Sequence, residues 1–137
     1  MKRVLLDVNT LLDVILRREP FLADALALWT AAEQKRLRAV IPAHGVTTVS
    51  YIVRRAQGVA FANGATGKLL TVFGVALVDE KVLAQAQSLS WPDLEDAVCA
   101  CAAERARCEA IVTRDPGGFV GSSLKVLTPA EAIVEYL

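Results

Sequence analysis

Much that usually betrays a chain's chemistry is scarce in this sequence. Among its 137 residues there is one histidine, and there are three cysteines. His44 has no matching nucleophile or metal partner in the pattern around it, so a surface or helix-capping place suits it. Cys99, Cys101 and Cys108 fall in one expected helix. Their spacing is neither a zinc pattern nor a disulfide framework, and their number is odd. Buried, reduced thiols in a cytoplasmic protein fit them best. No apolar run is long enough to span a bilayer, and the start lacks the layout of a secretory leader. A membrane role is therefore not expected. Nor is there an excess of charge of either sign: Lys+Arg and Asp+Glu are both 15. Any nucleic-acid surface must then be a local patch. Disorder is excluded by 54% hydrophobic against 22% charged residues, at a length that can bury one core.

What is present begins with Val4-Leu5-Leu6-Asp7-Val8-Asn9-Thr10. A short apolar run of this kind reads as a strand buried on both faces, and it delivers Asp7 to the strand's carboxyl end. In open α/β sheets ligands bind outside those ends. A carboxylate there is a poor core residue and a good ligand for a hard cation. The alternative is that Asp7 or Asn9 simply caps the next helix.

The rest of the chain alternates strands and helices. A helix is expected from Thr10 to about Arg18, with Leu11, Leu12, Ile15 and Leu16 as its stripe and Asp13 on another face. A second runs from about Phe21 to Arg38, with Leu22, Leu26, Trp29 and Ala32 or Glu33 on one side. A strand at Ala39-Val40-Ile41 ends at Pro42. A third helix covers about Ala43 to Gln57. Between Gly58 and Gly74, Asn63, Gly64 and Gly67 weaken any helix, leaving Lys68–Phe73 as its last turns. Val75–Val78 is the third strand, and Lys81–Leu89 is a helix. Ser90 caps a further helix that runs to about Arg107, with Pro92 in its first turn. Ala110–Thr113 and Lys125–Leu127 are the last strands. Thr128-Pro129-Ala130-Glu131 has capping-box spacing and opens the terminal helix. This order implies a three-layer α/β/α sandwich around a parallel sheet, and a single domain over residues 1–137.

Asp7 and Asp115 each follow a short apolar strand, and Asp93 and Asp96 share one face of a helix start. If these elements meet, the carboxylates converge. Two carboxylates about 4 Å apart repel by about 4 kcal/mol at an effective dielectric of 20. A cation or a shared proton must relieve several such pairs. Oxygen donors without His or Cys suit Mg²⁺ or Mn²⁺, and such an ion can activate water against a phosphodiester. Against this stand plainer roles. Asp93, Glu95 and Asp96 complement a helix dipole, and Asp115 can start the Pro-Gly turn. Arg54, Arg55 and Arg114 suit either a solvated face or phosphate contacts.

Taken in order, these residues resemble the PIN-domain nucleases, and specifically the VapC-like toxins. The resemblance rests on Leu5–Asp13 as the opening strand and helix start and on Asp93-Leu94-Glu95-Asp96-Ala97 as the central acidic helix start. It also rests on Ile111–Phe119 as the closing block and on Thr128–Glu131 at the last helix. It implies a metal-dependent ribonuclease acting on RNA, often homodimeric, with a cognate antitoxin. Carried over by position, Asp7 and Asp96 are the principal Mg²⁺ or Mn²⁺ ligands, and Asp115 completes the acidic pocket. Asn9 and Thr113 orient carboxylates or water, and Asp93 is an additional ligand. The family usually places a Glu in the third helix. Here Thr48 stands in that place, which weakens a second metal site.

Two other functions compete with a nuclease toxin. One is a PIN-like module that holds RNA or an antitoxin without cutting, favoured by the missing acid. The other is an aspartate-nucleophile phosphotransferase. That chemistry wants a second acid where this chain has Asn9, and a lysine for which Lys81 is a loose match.

Overall fold

The structure is a computed structural model that describes residues 2–137. Five strands form one parallel sheet: β1 (Arg3–Leu6), β2 (Arg38–Pro42), β3 (Gly74–Ala76), β4 (Ala110–Val112) and β5 (Lys125–Leu127), in the order β3-β2-β1-β4-β5. Seven helices connect and cover them: α1 (Val8–Ile15), α2 (Leu22–Glu33), α3 (Ala43–Gln57), α4 (Val59–Val72), α5 (Glu80–Ser88), α6 (Leu94–Arg105) and α7 (Pro129–Tyr136). The chain lays β2 and then β3 on one side of β1, and returns to place β4 and β5 on the other. The strand order therefore reverses between β1 and β4, where an open α/β sheet forms its crevice.

Alternation along the strands sorts the two layers. Val4 and Leu6 of β1, with Ala110 and Val112 of β4, point into a core built with residues of α1, α2, α3, α4 and α7. Leu5 and Ile111 point the other way, into a core with α5, α6 and Phe119. The expected three-layer α/β/α arrangement is thus present. Helix α6 is buried all round, and seven consecutive residues from Ala97 to Ala103 are covered. Four of them are alanines, which lets a helix lie close against the sheet.

Several local expectations need correction. Helix α2 stops at Glu33, and its buried side is Ala25, Leu28, Trp29 and Ala32 rather than Leu26, which is exposed. Small alanines carry the packing there, and hydrophobicity alone does not mark them. The weak stretch after Gly58 is one continuous helix, because α4 packs along α3 and buries Ala62 and Leu69. Its glycines are exposed, and each costs only about 1 kcal/mol relative to Ala. Ser90 is not a cap. It takes a left-handed backbone (φ 56°), Pro92 lies outside the helix, and Asp93 is the N-cap. The terminal capping box forms as expected, with Thr128 and Glu131 bonding each other's backbone N–H.

Leu5 is wholly buried whereas Leu83 on α5 is half exposed. Leu5→Ala is expected to cost about 2–5 kcal/mol, and Leu83→Ala no more than about 0.5 kcal/mol, in urea unfolding. Equal losses would contradict the packing described.

Candidate active site

The two strands that flank the reversal each deliver a polar residue at their carboxyl ends. After β1 comes Asp7, whose N–H donates to the Val112 carbonyl at 3.0 Å. After β4 comes Thr113, which is fully buried. The Thr113 hydroxyl donates to Asp7 Oδ2 at 3.0 Å, and Thr113 Oγ1 accepts the Asp115 N–H at 3.1 Å. Asp7 Oδ1 accepts the Val8 N–H at 2.8 Å. Asp7 therefore caps α1 and also presents a fixed carboxylate to the crevice, so the two readings of this residue describe one arrangement.

Asp96 enters from the first turn of α6, beside the short 3-10 turn Pro116–Phe119. A Cβ added to Gly118 would lie 2.5 Å from Asp96 Oδ2. Only glycine lets the backbone approach the carboxylate so closely. Asp93 accepts the Asp96 N–H at 3.2 Å as the N-cap. Asp115 starts the 3-10 turn, and its carbonyl accepts the Gly118 N–H at 3.2 Å.

These elements enclose a cavity of about 240 Å³. Asp7, Asn9, Asp93, Asp96, Thr113 and Asp115 all line it, so every expected acid, with its two expected orienting residues, meets in one place. Glu95 and Thr48 line it as well. Thr48 faces the site where the resemblance leads one to look for an acid, and its hydroxyl donates to the His44 carbonyl at 3.3 Å. A larger hollow of about 580 Å³ lies at the other end of the sheet, against Arg3, Arg38 and Val75, away from these groups.

The crowding shows in the proton affinities. Burial pushes the Asp7 carboxyl up from the ordinary aspartate range, against the opposing bonds from Thr113 and Val8. Asp96 is pushed up to about 6, first by burial and then by the charges of Asp93, Asp7, Glu95 and Asp115. These groups carry oxygen only, the donor type of a hard cation. Among the described residues no three His, Cys, Asp or Glu side chains close into a metal cage. Such oxygen donors would suit an ion such as Mg²⁺, which keeps several waters and takes one or two carboxylates.

The arginines divide. Arg54 and Arg55 are exposed and lie against the Tyr51 ring, at 5.4 and 5.9 Å from its centroid. Arg55 stands two helical turns beyond Thr48, on the same face of α3. Arg114 points into a separate hollow with Pro20, Phe21 and Thr128. Its Nε lies 3.1 Å from Asp13 Oδ2. Asp13, on another face of α1 than the expected apolar stripe, is 1% exposed. His44 is half-buried, with Nε2 at 3.8 Å from Cys99 Sγ. Burial lowers its pKa, against the opposing charges of Glu95 and Asp7.

The PIN domain family model matches residues 3–116. No curated protein matches the sequence. Among solved structures, VapBC-1 from nontypeable Haemophilus influenzae superposes with a TM-score of 0.71 at 13% identity, covering 93% of this chain and 98% of that one. A toxin–antitoxin complex from Klebsiella pneumoniae gives 0.68 at 22% identity, covering 92% and 97%. VapC20 from Mycobacterium tuberculosis, a sarcin–ricin loop cleaving toxin, gives 0.65 at 16% identity over 79% and 86%.

The raised carboxyls fix the sign of a pH effect. A group that binds its proton more tightly when folded favours the native state at low pH. That contribution is present below the usual aspartate value of 3.8 and is lost as pH rises toward about 6 for Asp96. Asp96→Asn is therefore expected to raise the metal-free melting temperature above pH 6 and to leave it near wild type at pH 4. Asp93→Ala, which removes the cap, is expected to cost about 1 kcal/mol at either pH. Melting curves across pH 4–7.5 in EDTA check both; an Asp96→Asn protein that melts below wild type at pH 7 would overturn the crowding.

Proposed function

Because this chain belongs to the PIN domain family, we propose that residues 1–137 form one PIN-like domain that acts as a metal-dependent endoribonuclease. It serves as the toxin of a toxin–antitoxin pair. The observation that carries this reading is the meeting of Asp7, Asp93, Asp96 and Asp115 in one cavity at the reversal of strand order. Toxin–antitoxin complexes among its structural neighbours support an antitoxin partner, and a homodimer accompanies that reading. It is a protein of the cytoplasm, where such RNA and such a partner are found.

Asp7 and Asp96 are the residues that would hold Mg²⁺ or Mn²⁺, with Asp115 and Asp93 beside them. When bound, the ion supplies a Lewis acid for the phosphate and lowers the pKa of a coordinated water. The chain's own contribution is orientation. Thr113 and the Val8 N–H fix both oxygens of Asp7, and Gly118 keeps Asp96 against the turn. Asn9, exposed at the cavity edge, accepts from Arg18 at 3.3 Å and helps orient water or carboxylate. Arg54 and Arg55, exposed on α3 beyond the cavity-lining Thr48 and Ile52, would contact RNA phosphates.

A second reading, a module that holds RNA without cutting it, is favoured by one observation. Thr48 lines the cavity with a hydroxyl where an acid would support a second ion.

Single-turnover cleavage of structured RNAs with Mn²⁺ separates these readings. Asp7→Asn and Asp96→Asn are each expected to lower the rate by at least about 100-fold. The double variant should be no slower than either single, as residues acting through one ion require. Wild type cutting no better than Asp7→Asn would leave the binding module.

Replacing Arg54 and Arg55 together with Ala is expected to weaken RNA binding and flatten its dependence on salt. On a single strand the log–log slope should fall by about 0.7 for each phosphate that the variant no longer neutralises. An unchanged slope would place the RNA elsewhere.

A further inference from the structure

Asp13 is the most buried charge in the molecule that no proposed chemical step uses. It sits on α1 with its side chain 2% exposed, among Thr10, Leu11 and Leu12. A carboxylate is held in such a place only when paired. Two arginines approach it: Arg114 Nε at 3.1 Å from Oδ2, and Arg18 Nη1 at 3.8 Å from Oδ1. The contact is ionic rather than a well-formed hydrogen bond. Asp13 Oδ1 and Arg114 Nε have no hydrogen-bond partner among the described residues. The guanidinium of Arg114 is closed from another side by the Phe21 ring, 4.0 Å from its centroid.

Both arginines lead back to the acidic cavity. Arg114 lies between Thr113, which bonds Asp7, and Asp115, which lines the cavity. The chain leaves β4 at Val112 and bends at Arg114. Anchoring the Arg114 side chain on Asp13 fixes this bend, and with it the placement of Thr113 and Asp115 on either side. Arg18 bonds the Asn9 side chain at 3.3 Å, and its N–H donates to the Asp13 carbonyl at 3.0 Å. One buried carboxylate thus grips both walls of the site, the start of α1 and the turn after β4.

We infer that Asp13 is a positioning residue, which acts through Arg114 and Arg18 to hold Thr113, Asp115 and Asn9 in register with Asp7. For its activity readout this inference rests on the nuclease reading; its structural readout does not. Removing Asp13 alone strands two cations, one of them in a mostly buried site, and the variant is prone to unfold. The informative protein is the double variant Asp13→Leu/Arg114→Leu. It removes the buried pair together, so the fold is kept.

Two measurements apply to wild type and this variant. The first is amide hydrogen exchange at Asp115, whose N–H is held by Thr113 Oγ1. The variant is expected to exchange at least about tenfold faster there, while amides of β1 and α6 stay protected as in wild type. The second is single-turnover cleavage with Mn²⁺. The maximal rate is expected to fall by about 10- to 100-fold, the cost of a misplacement of about 1 Å, with half-saturating RNA concentration unchanged. A folded double variant with wild-type exchange at Asp115 overturns the inference, as does one that cuts at the wild-type rate. If wild type itself cuts no RNA, the nuclease reading fails and the exchange at Asp115 alone decides.

Discussion

A carboxylate fixed at the end of a buried strand sets the terms for everything around it. Asp7 is held where water reaches it poorly, and burial works against its charge. It cannot move away, because β1 is the centre of the sheet and is paired on both sides. Both its oxygens are already bonded, to Val8 and to Thr113. Further acids arrive from α6 and from the turn after β4. The fold thus gathers like charge where it is least well solvated. A group of carboxylates so placed would suit a hard cation brought from outside.

The same residues serve the fold and the site. Asp7 starts α1, Asp93 starts α6, and Asp115 starts the turn that carries Gly118. Helix N-termini favour negative charge, so each acid gains there part of what it loses by crowding. Capping, and the metal binding proposed above, draw on one geometry. Asp13 extends it: a charge with no access to the cavity holds the arginines whose neighbours do have access.

The sheet and the acidic cavity were legible because each left a local pattern. Short apolar runs ended in Asp7 and in Thr113-Arg114-Asp115, and the acids of 93–96 stood at a helix start. Parallel order followed from strands alternating with helices. What was not legible depended on partners far along the chain. The buried side of α2 takes in Ala25 and Ala31, which look neutral in sequence. Helix α4 survives its glycines by packing on α3. Asp13 stood only on a face away from the apolar stripe; nothing within α1 announces that Arg114, from the far side of the sequence, will cover it. Ser90 resembled a cap by type, yet its backbone is left-handed and Asp93 takes the place.

The central claim is that this acidic cavity binds a divalent cation through Asp7 and Asp96. Titration of the full chain with Mn²⁺, followed by loss of the free-ion paramagnetic resonance signal, measures it directly. One saturable site in wild type at pH 7.5, lost in both Asp7→Asn and Asp96→Asn while the fold persists, is the expected result. Equal binding by wild type and the two variants, or no binding by any, would contradict it.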